Sequence, residues 1–216
     1  YTTALNFLLS SDTNKKFTIA DTTVVYWAES SNSAYAAIFA SLFAPEWSTG
    51  NENEKEDQPE IDKKAEEQLK QIAEKIKRAE QIDLTALRKD LKPNTRFYVL
   101  GLAPNAARIS IRFFYTDPFY KMLEKIAVHY QDMAIGEHNG PIPLWRIVNE
   151  TVSKKSHDKN PSPLLAGSLF RAILNNTPYP AALYYAVINR VRADMDDQEK
   201  KIEKVNKNFQ KHHNSL

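Results

Sequence analysis

Between residues 65 and 79 the apolar positions Ala65, Leu69, Ile72, Ile76 and Ala79 recur at alternating intervals of four and three, which lays one narrow stripe along a helix. Glu66 with Lys70 and Glu74 with Arg78 stand one turn apart on its solvated flanks. A stripe of this kind is buried either by the rest of the same fold or by a helix of a partner, and spacing alone leaves both open. Elsewhere the period shortens to two. Phe17-Thr18-Ile19 and the run Thr22 to Trp27 are rich in β-branched and aromatic residues around Ala20-Asp21, and they predict a strand pair or one bulged strand. Arg96 to Leu102 and Ala107 to Tyr115 predict a second β unit, joined through AlaProAsnAla. In the latter strand the alternation assigns Ile109, Ile111 and Phe113 to a core face, with Arg108, Ser110 and Arg112 opposite.

Helical signals fill the rest. Thr2 to Leu9 predicts a short helical turn against a neighbour, and Ser33 to Phe43 a short helix stopped by Pro45. Asp117-Pro118 has the form of an N-cap followed by proline at the first helical position, ahead of Met122, Leu123, Ile126, Ala127 and Tyr130. Gly136 closes that region, and Gly140 to Pro143 is an extended connector into a helix over Leu144 to Val152. Ser162-Pro163 repeats the cap before Leu165, Leu169, Ala172 and Ile173, and Pro178 and Pro180 open an apolar helix through Leu183, Tyr184, Val187, Ile188 and Val191. The expected class is α+β: a small antiparallel sheet followed by a C-terminal helical cluster. Residues 1–196 form one expected domain, with 50–92 as an inserted acidic loop and amphipathic helix. Within the insertion, acidic residues at 52, 54, 56, 57, 60 and 62 mark a linker or exposed loop. Residues 197–216 are a polar tail, either a solvated helix extension or disordered.

Composition narrows the function classes. In a chain of 216 residues, 42% hydrophobic content is enough to fill a core. With 29 Lys and Arg against 27 Asp and Glu the net charge is +2, so any basic surface is local. The absence of cysteine excludes disulfides and thiolate metal sites, and it is compatible with a reducing cytoplasm. No apolar run approaches the roughly 18–20 residues of a membrane helix. A first residue that is Tyr and not Met points to a piece of something longer.

Catalytic signals are thin. His129, His138, His157, His212 and His213 form no ligand spacing, which predicts no metal. With only 5 glycines and no phosphate-cradling or nucleophile-elbow motif, no cofactor is expected. Asp21, Glu29 and Asp117 are the remaining carboxylates that could meet in a site, although Asp117 is already assigned as a cap. Two binding features remain. Side chains two residues apart on a strand are about 6.6–7 Å apart, close to the separation of phosphates along one nucleic-acid strand, so the arginine row is a candidate backbone contact. A solvated face of a one-sided sheet, with arginine stems lying on apolar neighbours, accounts for the same pattern. Phe97, Tyr98, Phe113, Phe114 and Tyr115 on those strands are either core or a platform for stacking bases.

Four blocks carry a family likeness: ThrValValTyrTrpAlaGlu at 23–29, PheTyrValLeuGlyLeuAlaProAsnAlaAlaArgIleSerIleArgPhe at 97–113, ProSerProLeuLeuAlaGlySerLeuPheArgAlaIleLeu at 161–174, and TyrProAlaAlaLeuTyrTyrAlaValIleAsnArgValArgAlaAsp at 179–194. In this order they resemble the large subunit of the type I-C CRISPR surveillance complex, Cascade. The charged stretch 51–91 falls between blocks, as a variable insertion would.

The resemblance implies a non-catalytic subunit of an RNA-guided assembly, working with other Cascade subunits, the guide RNA, target DNA and a recruited helicase-nuclease. It implies help in reading a short motif beside the target, in opening the duplex and in holding the displaced strand. Arg108 and Arg112 then become candidate backbone contacts, with Arg96 and Asn105 beside them and Lys154 and Lys155 in the basic run 154–160. Two departures qualify it: motif reading in the family belongs chiefly to a region ahead of Tyr1, and the polar end after Asp196 lacks the family's apolar helical continuation. A middle fragment or truncated form is therefore expected. The competing reading is an interaction scaffold without nucleic-acid contact, which dispersal of Arg96, Arg108, Arg112 and the lysine loop would favour. A nuclease would need fixed clustered carboxylates, which the exposed run Glu52 to Asp62 does not offer.

Overall fold

The computed structural model describes residues 2–10, 15–30, 34–44, 60–82, 95–106, 108–134, 142–153 and 160–213, with backbone alone for 2, 60–66, 197 and 204–213. The chain runs α1 (Thr2–Leu9), β1 (Lys16–Ile19), β2 (Thr22–Ala28), α2 (Ala34–Phe43), α3 (Glu60–Lys77), β3 (Arg96–Asn105), β4 (Arg108–Pro118), α4 (Phe119–Met133), α5 (Leu144–Asn149), α6 (Pro163–Asn175) and α7 (Ala181–His213). The four strands form one antiparallel sheet in sequential order, and the class is α+β.

Alternation sorts the sheet into two faces. Phe17, Val24, Tyr26, Phe97, Val99 and Phe113 face inward, where rings from the helices meet them. Phe39 of α2 stands 5.0 Å from both Tyr26 and Phe97, and Phe119 of α4 is 5.0 Å from Phe97. Phe170 of α6 is 5.1 Å from Phe113. The core is therefore an aromatic layer between one sheet face and three helices, with tilted ring pairs adding to the area buried. Tyr130 of α4 ties this layer to α2 by donating to the Leu42 carbonyl at 2.6 Å.

The stripe on α3 is spent inside the fold. Leu69, Ala73 and Ile76 are buried, and the helix packs against α2 and α4. It ends at Lys77, and two residues on Ala79 takes a left-handed φ of 54°. Its start at Glu60 lies within the stretch expected as linker; residues 51–59 of that stretch are outside the described residues.

Two local expectations are corrected. Ile109 and Ile111, expected in the core, are 58% and 69% exposed. The cause is a register shift: Gly101 pairs with Phe113, but Leu102 pairs with Ile111, so β4 carries one extra residue at Arg112. A bulge of this kind turns every side chain beyond it to the other face. Asp117 is not the cap of α4. Pro118 occupies that position with no side-chain cap, and the Asp117 carboxylate instead accepts from Lys125 Nζ and the Tyr115 hydroxyl, at 2.7 and 2.8 Å. A charged donor is a stronger partner for a carboxylate than a backbone amide. The second cap forms as read, with Ser162 Oγ accepting from Leu165 N at 3.4 Å and proline at the first helical position.

The C-terminal run is helical, with α7 continuing unbroken to His213. Among the described residues no helix is long and apolar enough to cross a membrane.

Candidate functional site

The outward face of the sheet is half covered. Val25 has no exposure, α1 contacts β2, and Lys16 reaches the Leu9 carbonyl, so α1 closes the face over β1 and β2. Over β4 it stays open, with Phe114 and Ile111 exposed, while on β3 Leu102 is buried and Tyr98 is half-buried.

Toward that open part the register lines up three rings from three strands. Trp27 lies directly across from Tyr98, their centroids 5.1 Å apart and their planes within 10°. Tyr98 in turn stacks on Phe114, the diagonal neighbour, at 6.2 Å and 27°. Phe114 is 57% exposed and ends the ladder at the sheet edge. Beyond the bulge Ile111 and Ile109 prolong the same apolar strip along β4. The rings cover part of one another, and the exposed end of the ladder at Phe114 is where a planar, polarizable ligand can extend the stack.

Charge around the ladder is mixed. Arg96 alternates onto the same face as Tyr98 and Leu100 and is exposed. The Tyr98 hydroxyl donates to Glu29, and chiefly through that hydrogen bond its pKa is raised, with Arg96 acting in the opposite direction. A carboxylate at one end of the ladder repels an anionic backbone, so the surface is better suited to the flat faces of bases, with Arg96 the cation beside them.

The other anticipated contacts are not gathered here. Arg108 and Asn105 pair with each other at the exposed hairpin tip, where Ala106 has a φ of 52°, and the register directs them to the helix-bearing side. Arg112, the bulge residue, is in an ion pair with Asp21 at 3.5 Å, both about a third exposed. Asp21 borders a cleft of about 760 Å³ with Thr151, Ser153, Ser162 and Leu165. Lys154 and Lys155 lie outside the described residues. Among the described candidates, Arg96 alone stands by the ladder, and the arginines are dispersed.

The anticipated aromatic group divides likewise. Phe97 and Phe113 are core. Tyr115 faces inward, where burial lifts its pKa to about 12, opposed by its bond from Lys125 and aided by Asp117. Tyr98 and Phe114 are the pair on the open face. Trp27 escapes sequence reasoning as their partner because only the pairing of β2 with β3 puts it there.

One buried titratable group completes the electrostatics. His129 is buried in α4 with Nδ1 against the Tyr179 hydroxyl, and its Nε2 has no partner among the described residues. Burial lowers its pKa to about 4, partly opposed by Asp132. Among the described residues no three His, Asp or Glu side chains converge as a metal site would need.

Comparison with protein families returns a match over residues 1–214 to the model described as CRISPR-associated protein (Cas_Csd1). Curated proteins give no match.

Proposed function

The chain belongs to the Cas_Csd1 family of CRISPR-associated proteins, Cascade-type subunits that work with other proteins in a CRISPR complex, and on that premise we propose that it is a type I-C large subunit contributing to target DNA binding. In this reading it grips and does not cut. Guide RNA pairing reads the sequence, while this chain supports the displaced strand and a separate helicase-nuclease is recruited. The observation that carries the reading is the open ladder Trp27, Tyr98, Phe114. Bases of an unpaired strand stack there, and Arg96 takes one phosphate. Because bases present similar faces, such binding tolerates any sequence, as holding a displaced strand requires.

Fluorescence anisotropy with a labelled single-stranded oligonucleotide, on the chain alone and on the complex reconstituted with guide RNA, tests it. Phe114→Ala is expected to weaken binding by about 1–3 kcal/mol, the range for one stacked base. Arg96→Ala is expected to reduce the salt slope by about 0.7, one phosphate's share. Unchanged affinity in Phe114→Ala and in Tyr98→Leu would refute it.

The dispersal of Arg96, Arg108 and Arg112 favours a second reading, an interaction scaffold with no direct nucleic-acid contact. Under it, the exposed strip of Phe114, Ile111 and Ile109 is covered by a neighbouring subunit. The same variants would then weaken assembly of the complex and leave binding of free oligonucleotide absent from the start.

A further inference from the structure

We propose that α7 pairs antiparallel with α7 of a second copy of this chain, through a coiled-coil seam centred between Met195 and Gln198. The inference stands apart from the nucleic-acid reading. Its basis is a second stripe. Tyr184, Ile188, Val191, Met195, Gln198 and Ile202 follow intervals of four, three, four, three and four, and the spacing continues in sequence at Val205 and Phe209. The inner side of the helix is a different one: Leu183 is buried, Ala186 packs on the core, and Arg190 donates to the Val152 carbonyl. On the stripe, Tyr184, Val191, Met195 and Ile202 are each at least half exposed. From Tyr184 to Ile202 the seam is about 27 Å long. Ile188 is half-buried and Tyr184 meets the neighbouring ring of Tyr185, whereas Val191, Met195 and Ile202 present an apolar row to the outside.

The flanking charges select the occupant. Arg192 and Glu199 lie on one side of the seam, and on the other are Lys201 and Asp194, whose carboxylate also accepts from Arg190 Nε of its own helix at 2.9 Å and would be shared with Lys201 of the partner subunit. Place Met195 opposite Gln198 of the partner subunit, running antiparallel, and Val191 falls opposite Ile202 of the partner subunit. In that single register Arg192 meets Glu199 of the partner subunit, and Asp194 meets Lys201 of the partner subunit, each contact repeated by the two-fold axis. A parallel pairing sets Asp194 against Glu199 of the partner subunit, a like-charge contact, and gives Arg192 only Val187 of the partner subunit. Antiparallel pairing also keeps the sheet-bearing bodies at opposite ends of the shared helices, which at 33 residues are about 50 Å long.

Sedimentation equilibrium on the whole chain across a concentration series, with circular dichroism as a check on folding, tests the pairing. The parent chain is expected to dimerise. Arg192→Glu alone and Glu199→Arg alone are each expected to weaken the dimer roughly tenfold, since two exposed pairs turn from attractive to repulsive. The double variant restores both pairs and is expected to recover parental affinity, an outcome that a purely structural role for either residue does not give. Because the chain has no cysteine, Val191→Cys and Ile202→Cys act as clean reporters. Mixed together they are expected to crosslink with each other, and neither with itself. A monomer at every concentration overturns the proposal, even if the stripe is found to bind another subunit. A dimer indifferent to the charge reversals, or one in which Val191→Cys crosslinks with itself, overturns it as well.

Discussion

Gly101→Ala tests the bulge that sets the course of β4. Gly101 pairs directly with Phe113, and a Cβ built on it would lie 2.4, 2.6 and 2.7 Å from three carbons of that ring. Ordinary carbon contacts begin about 1 Å farther out. The ring has little room to retreat, since Phe113 is buried and packs on Phe170 at 5.1 Å. Relieving such an overlap in a packed core costs about 1–3 kcal/mol. Stiffening of the unfolded chain by alanine returns about 0.4–1 kcal/mol. The net expectation is a loss of roughly 1–2 kcal/mol, which at about 2–4 °C per kcal/mol for a chain of this size lowers Tm by roughly 2–8 °C. Scanning calorimetry reads this directly. The mechanism also predicts coupling: Phe113→Leu removes the ring atoms in conflict, so the double variant should lose less than the sum of the two single losses. A Gly101→Ala variant as stable as the parent, or strict additivity, would show that the ring is not held as described.

Two other consequences concern the interior. With its pKa lowered to about 4 from the ordinary 6.5, His129 stays neutral in the fold while the unfolded chain takes up a proton, so stability is complete above about pH 6.5 and falls as pH drops toward about 4. That component amounts to about 3 kcal/mol, and chemical denaturation across this window should be flatter in His129→Phe than in the parent; identical curves would remove His129 as the cause. Tyr130→Phe leaves the buried Leu42 carbonyl without its 2.6 Å donor and should cost about 1–3 kcal/mol, read as a lower urea midpoint at unchanged slope.

What was legible in the sequence is what is decided locally. The cap at Ser162, the 4-3 stripe of α3 and the alternating strands depend on neighbours within a turn or a pleat, and each is where the residues put it. The site was less legible because it depends on register. A single extra residue at Arg112 reverses the faces of Ile109 and Ile111, and it leaves no trace in the strand's own alternation, since the partner that reveals it is Gly101 on another strand. Trp27 joins Tyr98 and Phe114 only once three strands are aligned. Asp117 had the local form of a cap, and a lysine two turns into the next helix outcompeted the amide. Arg112 reads as a free cation until the β1–β2 turn brings Asp21 to it. The stripe on α7 was visible only in part, as far as Val191, because the charged residues beyond Asp196 obscure a spacing that the continuous helix makes plain.

The central claim is that bases stack on the open ladder, and Trp27 is its built-in reporter. In a background with Trp47→Phe and Trp145→Phe, leaving Trp27 as the sole indole, titration with an unlabelled single-stranded oligonucleotide should quench its emission saturably, with Phe114→Ala shifting the midpoint to higher concentration. Oligonucleotide binding measured in parallel by anisotropy while Trp27 emission stays constant to saturation would place the strand elsewhere on the protein and contradict the account.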